Sequence, residues 1–189
     1  MTRDHDRNPP LSPPRGLTDG VVAIRPLLAA DAPAFAAAFR DDPTLGVMVG
    51  SEQDPTEDEV VAQVAEEPRP GRLPSHALAA ASSLDFLGSI GVYRIDEHHR
   101  RGEVGFWLCP HARGRGVGAR AVRLVTSWAF EALRFERVEL TTTPDNEATR
   151  RLAAGLGFVE EGVMRERNLE RGRRVDVVML SVLAREWKG

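Results

Sequence analysis

The chain has 189 residues, of which 42% are hydrophobic and 28% are charged. That balance predicts a packed core and argues against wholesale disorder. The net charge of -3 argues against bulk nucleic-acid binding, and the sequence lacks the run of about 18 apolar residues that a membrane-spanning helix needs. Lys188 is the only lysine, which excludes the Gly-Lys-Ser/Thr of a Walker-A phosphate loop.

Two features bear on the cellular compartment. Cys109 is the only cysteine, so no intrachain disulfide can form, and the polar N-terminus lacks the apolar segment of a secretory signal peptide. We therefore expect a cytoplasmic protein. Residues 1–18 are proline-rich and show no hydrophobic periodicity, which predicts a mobile tail before a single domain over residues 19–189.

Hydrophobic periodicity, together with glycine and proline, divides the rest of the chain into elements. Seven strands are predicted, in chain order, over residues 21–26, 76–81, 86–95, 103–109, 137–142, 158–167 and 173–183. Four helices are predicted over residues 32–40, 54–67, 116–130 and 147–156. Asp31 is the expected cap of the first helix. The class is mixed α/β (α+β), and one βαβ crossover over residues 103–142 should make its two strands parallel.

The segment over residues 109–120 leaves a predicted strand and opens a predicted helix. It contains three glycines and three arginines, namely Gly114, Gly116, Gly118, Arg113, Arg115 and Arg120. Glycine allows positive φ and a close approach of the backbone to a ligand. Free N–H groups at a helix start converge where the helix dipole favours an anion. The pattern therefore predicts a phosphate site.

Two other interpretations of this segment compete. A loop rich in arginine and glycine is also compatible with a solvated turn. The spacing Gly114-x-Gly116-x-x-Ala119 satisfies the dinucleotide-binding fingerprint. Residues 110–113 separate it from the predicted strand, however, and about 70 residues remain, too few to complete a doubly wound sheet.

The spacing Arg113-x-x-Gly116-x-Gly118 resembles the Q/R-x-x-G-x-G/A pyrophosphate motif of the GNAT superfamily of acyl-CoA N-acyltransferases. Three further pieces are similar to the RimJ/RimL-like branch of that family. They are the glycine-aromatic-tryptophan run over residues 102–108, the Asn146–Thr149 segment with residues 157–158, and the opening run over residues 24–27. The branch pattern has serine where this chain has threonine at position 149.

The resemblance implies a GNAT fold in which the fourth and fifth strands splay apart, and acetyl-CoA as the donor. The pyrophosphate would bind the backbone amides of one loop, namely Arg113, Gly114, Arg115, Gly116, Val117 and Gly118. The pantetheine arm would pair with the backbone of Phe106, Trp107 and Leu108. Asn146 would hydrogen-bond that arm, with a helix cap as its alternative role.

The resemblance also implies direct attack of an amine on the thioester, which requires a base. Glu103 is the candidate base, and a surface glutamate paired with an arginine such as Arg101 is the alternative. The N–H of Leu108 would stabilise the oxyanion. Thr149 matches the position from which relatives protonate the departing thiolate, while a core or back-bonding threonine is equally compatible.

The predicted function is transfer of an acetyl group from acetyl-CoA to a primary amine, on a protein N-terminus or a small molecule. No metal and no membrane partner is expected, nucleic acid is disfavoured, and a homodimer stays open. A non-catalytic acyl-CoA-binding regulatory module, a nicotinamide-dependent oxidoreductase and an RNA-binding adaptor are the alternatives. Family architecture places the acceptor near residues 42–51, Tyr93 and residues 169–172. Cys109 is interpreted as a buried structural residue.

Overall fold

A computed structural model of the chain describes residues 16–48, 53–64, 71–170 and 172–189. The strands in these ranges are β1 (Leu17–Thr18), β2 (Val22–Pro26), β3 (His76–Ala80), β4 (Phe86–Asp96), β5 (Arg101–Leu108), β6 (Arg137–Thr142), β7 (Val159–Glu170) and β8 (Arg173–Leu183). The helices are α1 (Ala32–Asp41), α2 (Thr44–Met48), α3 (Glu57–Val64), α4 (Val117–Glu131) and α5 (Glu147–Gly155). Residues 1–15 of the predicted tail lie outside the described residues, as does the end of the second predicted helix.

The predicted elements are confirmed in order and type, with ends that shift by a few residues. β1 and α2 are additional, so the described chain has eight strands and five helices. They span two and five residues, which is too short for a hydrophobic period to show. Because β1 precedes the first predicted strand, the predicted fourth and fifth strands are β5 and β6.

The predicted side-chain cap of α1 is wrong. Asp31 precedes α1, but its carboxylate accepts hydrogen bonds from both terminal nitrogens of Arg25, at 2.7 Å each, and from the N–H of Leu28 at 2.8 Å. A bidentate guanidinium stabilises a buried carboxylate more strongly than a neutral amide at a helix start would. The ion pair therefore ties the start of α1 to β2 instead.

All eight strands form one sheet in the order β1-β2-β3-β4-β5-β6-β8-β7. Neighbours are antiparallel except β5 and β6, which are parallel, as the crossover through α4 predicts. Their pairing covers only Arg101 with Arg137, Gly102 with Val138, and Glu103 with Glu139. Beyond Glu103 the two strands separate, which confirms the expected splay.

The core is divided between the two faces of the sheet. On one face α4 and α5 cover apolar strand residues that include Val104, Val138 and Leu140. On the other face α1 and α3 pack on Trp107, and the centres of the Trp107 and Phe35 rings lie 4.8 Å apart. Adjacent strand residues point to opposite faces, so β5 contributes to both clusters. No helix in the described ranges combines the length and the apolar character needed to cross a membrane.

Candidate active site

A cleft of about 810 Å³ lies where β5 and β6 separate. Six of the residues singled out in the sequence line it, namely Tyr93, Glu103, Phe106, Trp107, Asn146 and Thr149. Leu108 and the loop over residues 113–118 are outside its lining. The loop is nevertheless adjacent, because a Cβ built on Gly118 would lie 3.0 Å from the ring of Phe106. The fold thus brings the glycine loop to one end of the cleft.

The loop presents a row of main-chain donors at the start of α4. Gly114 and Gly116 have φ values of 69° and 76°, and a Cβ at either position would meet no atom within 4 Å. The N–H groups of residues 114–119 donate to no acceptor among the described residues. The first turn of any α-helix leaves N–H groups without intrahelical acceptors, and the helix dipole favours an anion there. The geometry fits a phosphate group better than a self-contained turn.

Gly118 is needed for a different reason than the two preceding glycines. Its φ is not positive, and an added Cβ would lie 3.0 Å from Leu152 Cδ1 and 3.0 Å from Phe106 Cε2. The position is small so that α4 can pack closely on α5 and β5. In the motif, Gly114 and Gly116 are therefore required by their positive φ, and Gly118 by the close packing around it.

The guanidinium of Arg113 points away from the glycine loop. Its Nε and Nη2 donate to the carbonyl oxygen of Leu108 at 3.1 and 3.0 Å, and its Nη1 lies 2.6 Å from Asp42 Oδ2. The N–H of Arg113 donates to the Pro110 carbonyl at 3.3 Å. The hydroxyl of Thr44, followed by Arg113, holds the pKa of Asp42 below its ordinary value. Arg113 thus connects Asp42, the residue that follows α1, to the end of β5.

The other two arginines of the segment differ from each other. Arg120 Nη1 lies 2.7 Å from Asp19 Oδ2, so its charge is already paired. Arg115 is exposed and has no ion pair with another described residue. Two of the three arginines thus have acidic partners in the described chain, Asp42 for Arg113 and Asp19 for Arg120. Of these three arginines, only Arg115 has no ion-pair partner in the described chain.

Replacing Arg113 with alanine should lower stability more than coenzyme affinity. The change removes two hydrogen bonds and a partly exposed ion pair, which together contribute about 1 kcal/mol, so the melting temperature should fall by about 2–4 °C. Arg115→Ala is the matched control and should leave melting unchanged while weakening acetyl-CoA binding about threefold to tenfold. Calorimetry on both variants checks this, and the reverse pattern would return Arg113 to the phosphate site.

The main chain of β5 faces the opening at alternate residues. The N–H of Cys109 donates to the Leu87 carbonyl on β4 at 2.9 Å. Backbone groups alternate in direction along a strand, so those of Phe106 and Leu108 face β6 and those of Trp107 face β4. Of the three residues expected to pair with pantetheine, Phe106 and Leu108 therefore present main-chain groups to the opening. Because Arg113 covers the Leu108 carbonyl, the Leu108 N–H is the donor left at that position.

Glu103 is a buried carboxylate at the point where the strands part. It is 8% exposed, and its Oε1 accepts a hydrogen bond from the hydroxyl of Thr141 at 2.6 Å. Its Oε2 pairs with Arg94 on β4 rather than with Arg101, which lies near Asp96 and Glu139. The alternative of a surface glutamate is therefore wrong in exposure, while its expected pairing with an arginine is met by Arg94 instead of Arg101. Glu103 also lines the cleft.

Asn146 and Thr149 lie together at the start of α5. Asn146 Oδ1 accepts a hydrogen bond from the Thr149 N–H at 3.1 Å, which is a side-chain cap. The amide nitrogen of Asn146 is not used by that bond, so capping and ligand contact are compatible. The Thr149 hydroxyl is not bonded back to the helix among the described residues, and it lines the cleft.

Tyr93 on β4 is the register partner of Glu103 on β5, and it also lines the cleft. A Cβ at Gly91 would lie 2.7 Å from Tyr93 Oη, and one at Gly105 would lie 3.0 Å from its ring. The two glycines therefore leave room for the ring to lie across β4 and β5. Its hydroxyl is 3.2 Å from the Ser75 hydroxyl. Leu169 and Glu170 also line the cleft, whereas Asp42 binds Arg113 and residues 49–52 are outside the described chain.

Cys109 is 3% exposed and packs in the aromatic cluster around Trp107. Burial raises the pKa of its thiol to about 11, so the thiolate is disfavoured. The residue does not line the cleft. This confirms the interpretation of Cys109 as a structural residue.

Known proteins resemble this chain in sequence over about half of their length. A family model described as "Acetyltransferase (GNAT) domain" matches residues 22–159. In Bacillus subtilis (strain 168), the protein named "Putative ribosomal N-acetyltransferase YdaF" is 34% identical over 102 residues, which is 54% of this chain and 56% of that protein. The chain thus spans about half the length of the curated relatives that it matches.

Solved structures share the fold. Ribosomal-protein-S5-alanine acetyltransferase from Vibrio fischeri superposes with a TM-score of 0.79 at 20% identity, covering 93% of this chain and 100% of that one. Spermidine N-acetyltransferase from Vibrio cholerae, in complex with CoA and spermine, gives a TM-score of 0.77 at 18% identity, covering 90% and 100%. At these identities the likeness concerns the fold alone. The family model matches well over half of the residues of this chain, so the chain belongs to the GNAT acetyltransferase family.

Proposed function

We propose that the chain is an N-acetyltransferase that moves an acetyl group from acetyl-CoA to a primary amine. One observation carries the proposal: the N–H groups of residues 114–119, which have no acceptor within the described ranges, open α4 beside the gap between β5 and β6. A diphosphate at those amides would place the attached pantetheine arm at the gap. Family membership supports acetyl-CoA as the donor, and the related Vibrio cholerae enzyme was solved with CoA.

The pantetheine arm would occupy the gap as a false strand. Main-chain groups of Phe106 and Leu108 face it there, and strand groups without partners are costly to leave buried. The unused amide nitrogen of Asn146 would donate to an amide carbonyl of the arm. This arrangement would bring the thioester near the Leu108 N–H, which would donate to the oxyanion.

The chemistry would take place on the Glu103 side of the gap. An ammonium cannot attack, so Glu103 would accept a proton from the incoming amine, directly or through water. The amine nitrogen would then bond to the thioester carbonyl carbon, and the carbon–sulfur bond would break on collapse of the tetrahedral intermediate. The thiolate would take a proton from the Thr149 hydroxyl or from water and leave as CoA. The second proton lost by the amine nitrogen would replace it on that oxygen, so the reaction releases the N-acetylated amine, CoA and one proton. The proton on Glu103 returns to solvent.

The proposal is tested by incubating the chain with acetyl-CoA and an amine library while free thiol is measured. Turnover with at least one amine supports it. Binding of acetyl-CoA without turnover on any amine would instead favour the regulatory-module alternative. Titration with NAD separates the oxidoreductase alternative, because the loop should bind CoA and leave NAD unbound.

Thr149→Ala should reduce turnover only modestly, by about threefold to tenfold. Thiols ionise with a pKa near 8.5, so the departing thiolate needs little assistance. The substitution keeps the N–H that caps the helix with Asn146, so the fold should be unaffected. Thr149→Ser retains the hydroxyl and is the matched control. Steady-state rates decide the matter, and wild-type turnover in the alanine variant would mean that water alone protonates the thiolate.

A further inference from the structure

Among the described residues, more positive than negative side chains line the cleft. The charged ones are Arg72, Arg94, Arg167, Glu103 and Glu170. Arg94 and Glu103 form an ion pair and offset each other. Two arginines then stand against one carboxylate, and neither has an ion pair with another described residue. A site of this sign favours a ligand that is partly anionic.

Arg72 is held in place, and its guanidinium donates to no acceptor among the residues that the structure describes. Its guanidinium carbon lies 5.1 Å from the centre of the Tyr93 ring. The Tyr93 hydroxyl in turn lies within hydrogen-bond distance of the Ser75 hydroxyl, and the ring packs directly against Gly91 and Gly105. A cation stacked on an aromatic face is oriented, yet its N–H groups still point outward. Arg72 is therefore already positioned at the cleft to donate hydrogen bonds to an anion.

Arg167 reaches the same cleft because β7 is irregular. The pairing of β7 with β8 shifts register between Met164 and Asn168, and Glu166 within the shift has a φ of 51°. The N–H of Glu166 donates to Asp176 Oδ1 at 2.8 Å, which fixes the distorted segment. Bulges of this kind redirect side chains and occur often beside active sites. Here the irregular segment contains Arg167 and ends at Asn168, and both residues line the cleft.

We infer that the acceptor carries a carboxylate in addition to the amine that reacts. The amine meets Glu103, while Arg72 and Arg167 bind the carboxylate at the mouth of the cleft. An acidic peptide N-terminus or an acidic amino acid has this chemistry. A polyamine would instead place a second cation against two guanidiniums with only Glu170 to balance it. The inference rests on the proposed acetyltransferase function and names its substrate class.

The test compares acceptors that differ by one charge. Free-thiol release is measured with the peptide amides Ala-Glu, Ala-Gln and Ala-Lys, with free glutamate, and with spermidine. The glutamate peptide should exceed the glutamine peptide in kcat/KM by about tenfold, through a lower KM, and the advantage should shrink in high salt. Free glutamate that outperforms the peptides would identify an amino acid as the source of the carboxylate, and the reverse a peptide.

Variants locate the preference. Arg72→Gln and Arg167→Gln should each reduce the advantage of the glutamate peptide towards one. Arg165→Gln, on the same strand but outside the cleft lining, should keep it. Equal use of the glutamate and glutamine peptides, or a preference for spermidine, overturns the inference and leaves the acetyltransferase function standing. Absence of thiol release with every acceptor overturns both.

Discussion

Replacing Gly116 with aspartate should weaken acetyl-CoA binding by about 100-fold. The residue has a φ of 76° and open space around an added Cβ, so a carboxylate can be accommodated there, within the row of N–H groups of residues 114–119 that have no acceptor in the described chain. That carboxylate would repel a diphosphate at about 2–4 kcal/mol, depending on how much water remains. Titration calorimetry with acetyl-CoA measures the loss directly.

Gly116→Asn is the matched control for that change. Asparagine and aspartate have the same shape and tolerate the left-handed region similarly, so both variants bear the same backbone cost of about 1 kcal/mol. Only the charge differs between them. The asparagine variant should therefore bind acetyl-CoA more tightly than the aspartate variant by an order of magnitude or more. Equal affinities would show that no anion approaches the loop.

Glu103→Gln should lower kcat by about 100-fold to 1000-fold while changing acetyl-CoA affinity less than about twofold. Glutamine keeps the shape of the side chain and can still accept the Thr141 hydrogen bond, but it cannot take a proton from the amine. Arg94 is 52% exposed, so water can solvate its charge once the carboxylate is lost. Steady-state kinetics with a productive amine, together with calorimetry, separates the two quantities.

Glu139→Gln provides the control that the sheet itself offers. Glu139 is the register partner of Glu103 on β6 and is also 8% exposed. It binds Arg137 at 2.7 Å and does not line the cleft. If burial or charge balance in the sheet controlled the rate, both substitutions would reduce it. We expect loss of turnover only at Glu103, and an equal loss at Glu139 would remove Glu103 as the base.

The order of elements could be predicted from local patterns, and the position of the split from the resemblance to the GNAT family. Glycine and proline mark the loops, and the crossover between residues 103 and 142 requires one parallel pair. Short elements without a full period, such as β1 and α2, leave no such signal. The fold class therefore follows from the sequence, while the exact element count does not.

Side-chain partners were harder to predict than elements. Arg113 pairs with Asp42, which is distant in sequence, and the loop pattern alone made its charge look available to an anion. The partner of Glu103 could have been predicted from the sequence. A hairpin turn over residues 96–102 places Tyr93 opposite Glu103 and brings Arg94 close. Arg72 gave no signal at all, since its position depends on the ring of Tyr93.

The central claim is that the coenzyme diphosphate binds the amides that open α4, with its arm between β5 and β6. A crystal structure of the chain with coenzyme A tests this most directly. The account predicts phosphate oxygens about 3 Å from the backbone nitrogens of residues 114–119, and pantetheine beside Phe106 and Leu108. Coenzyme bound elsewhere, or β5 and β6 closed on each other with those amides left unliganded, would contradict it.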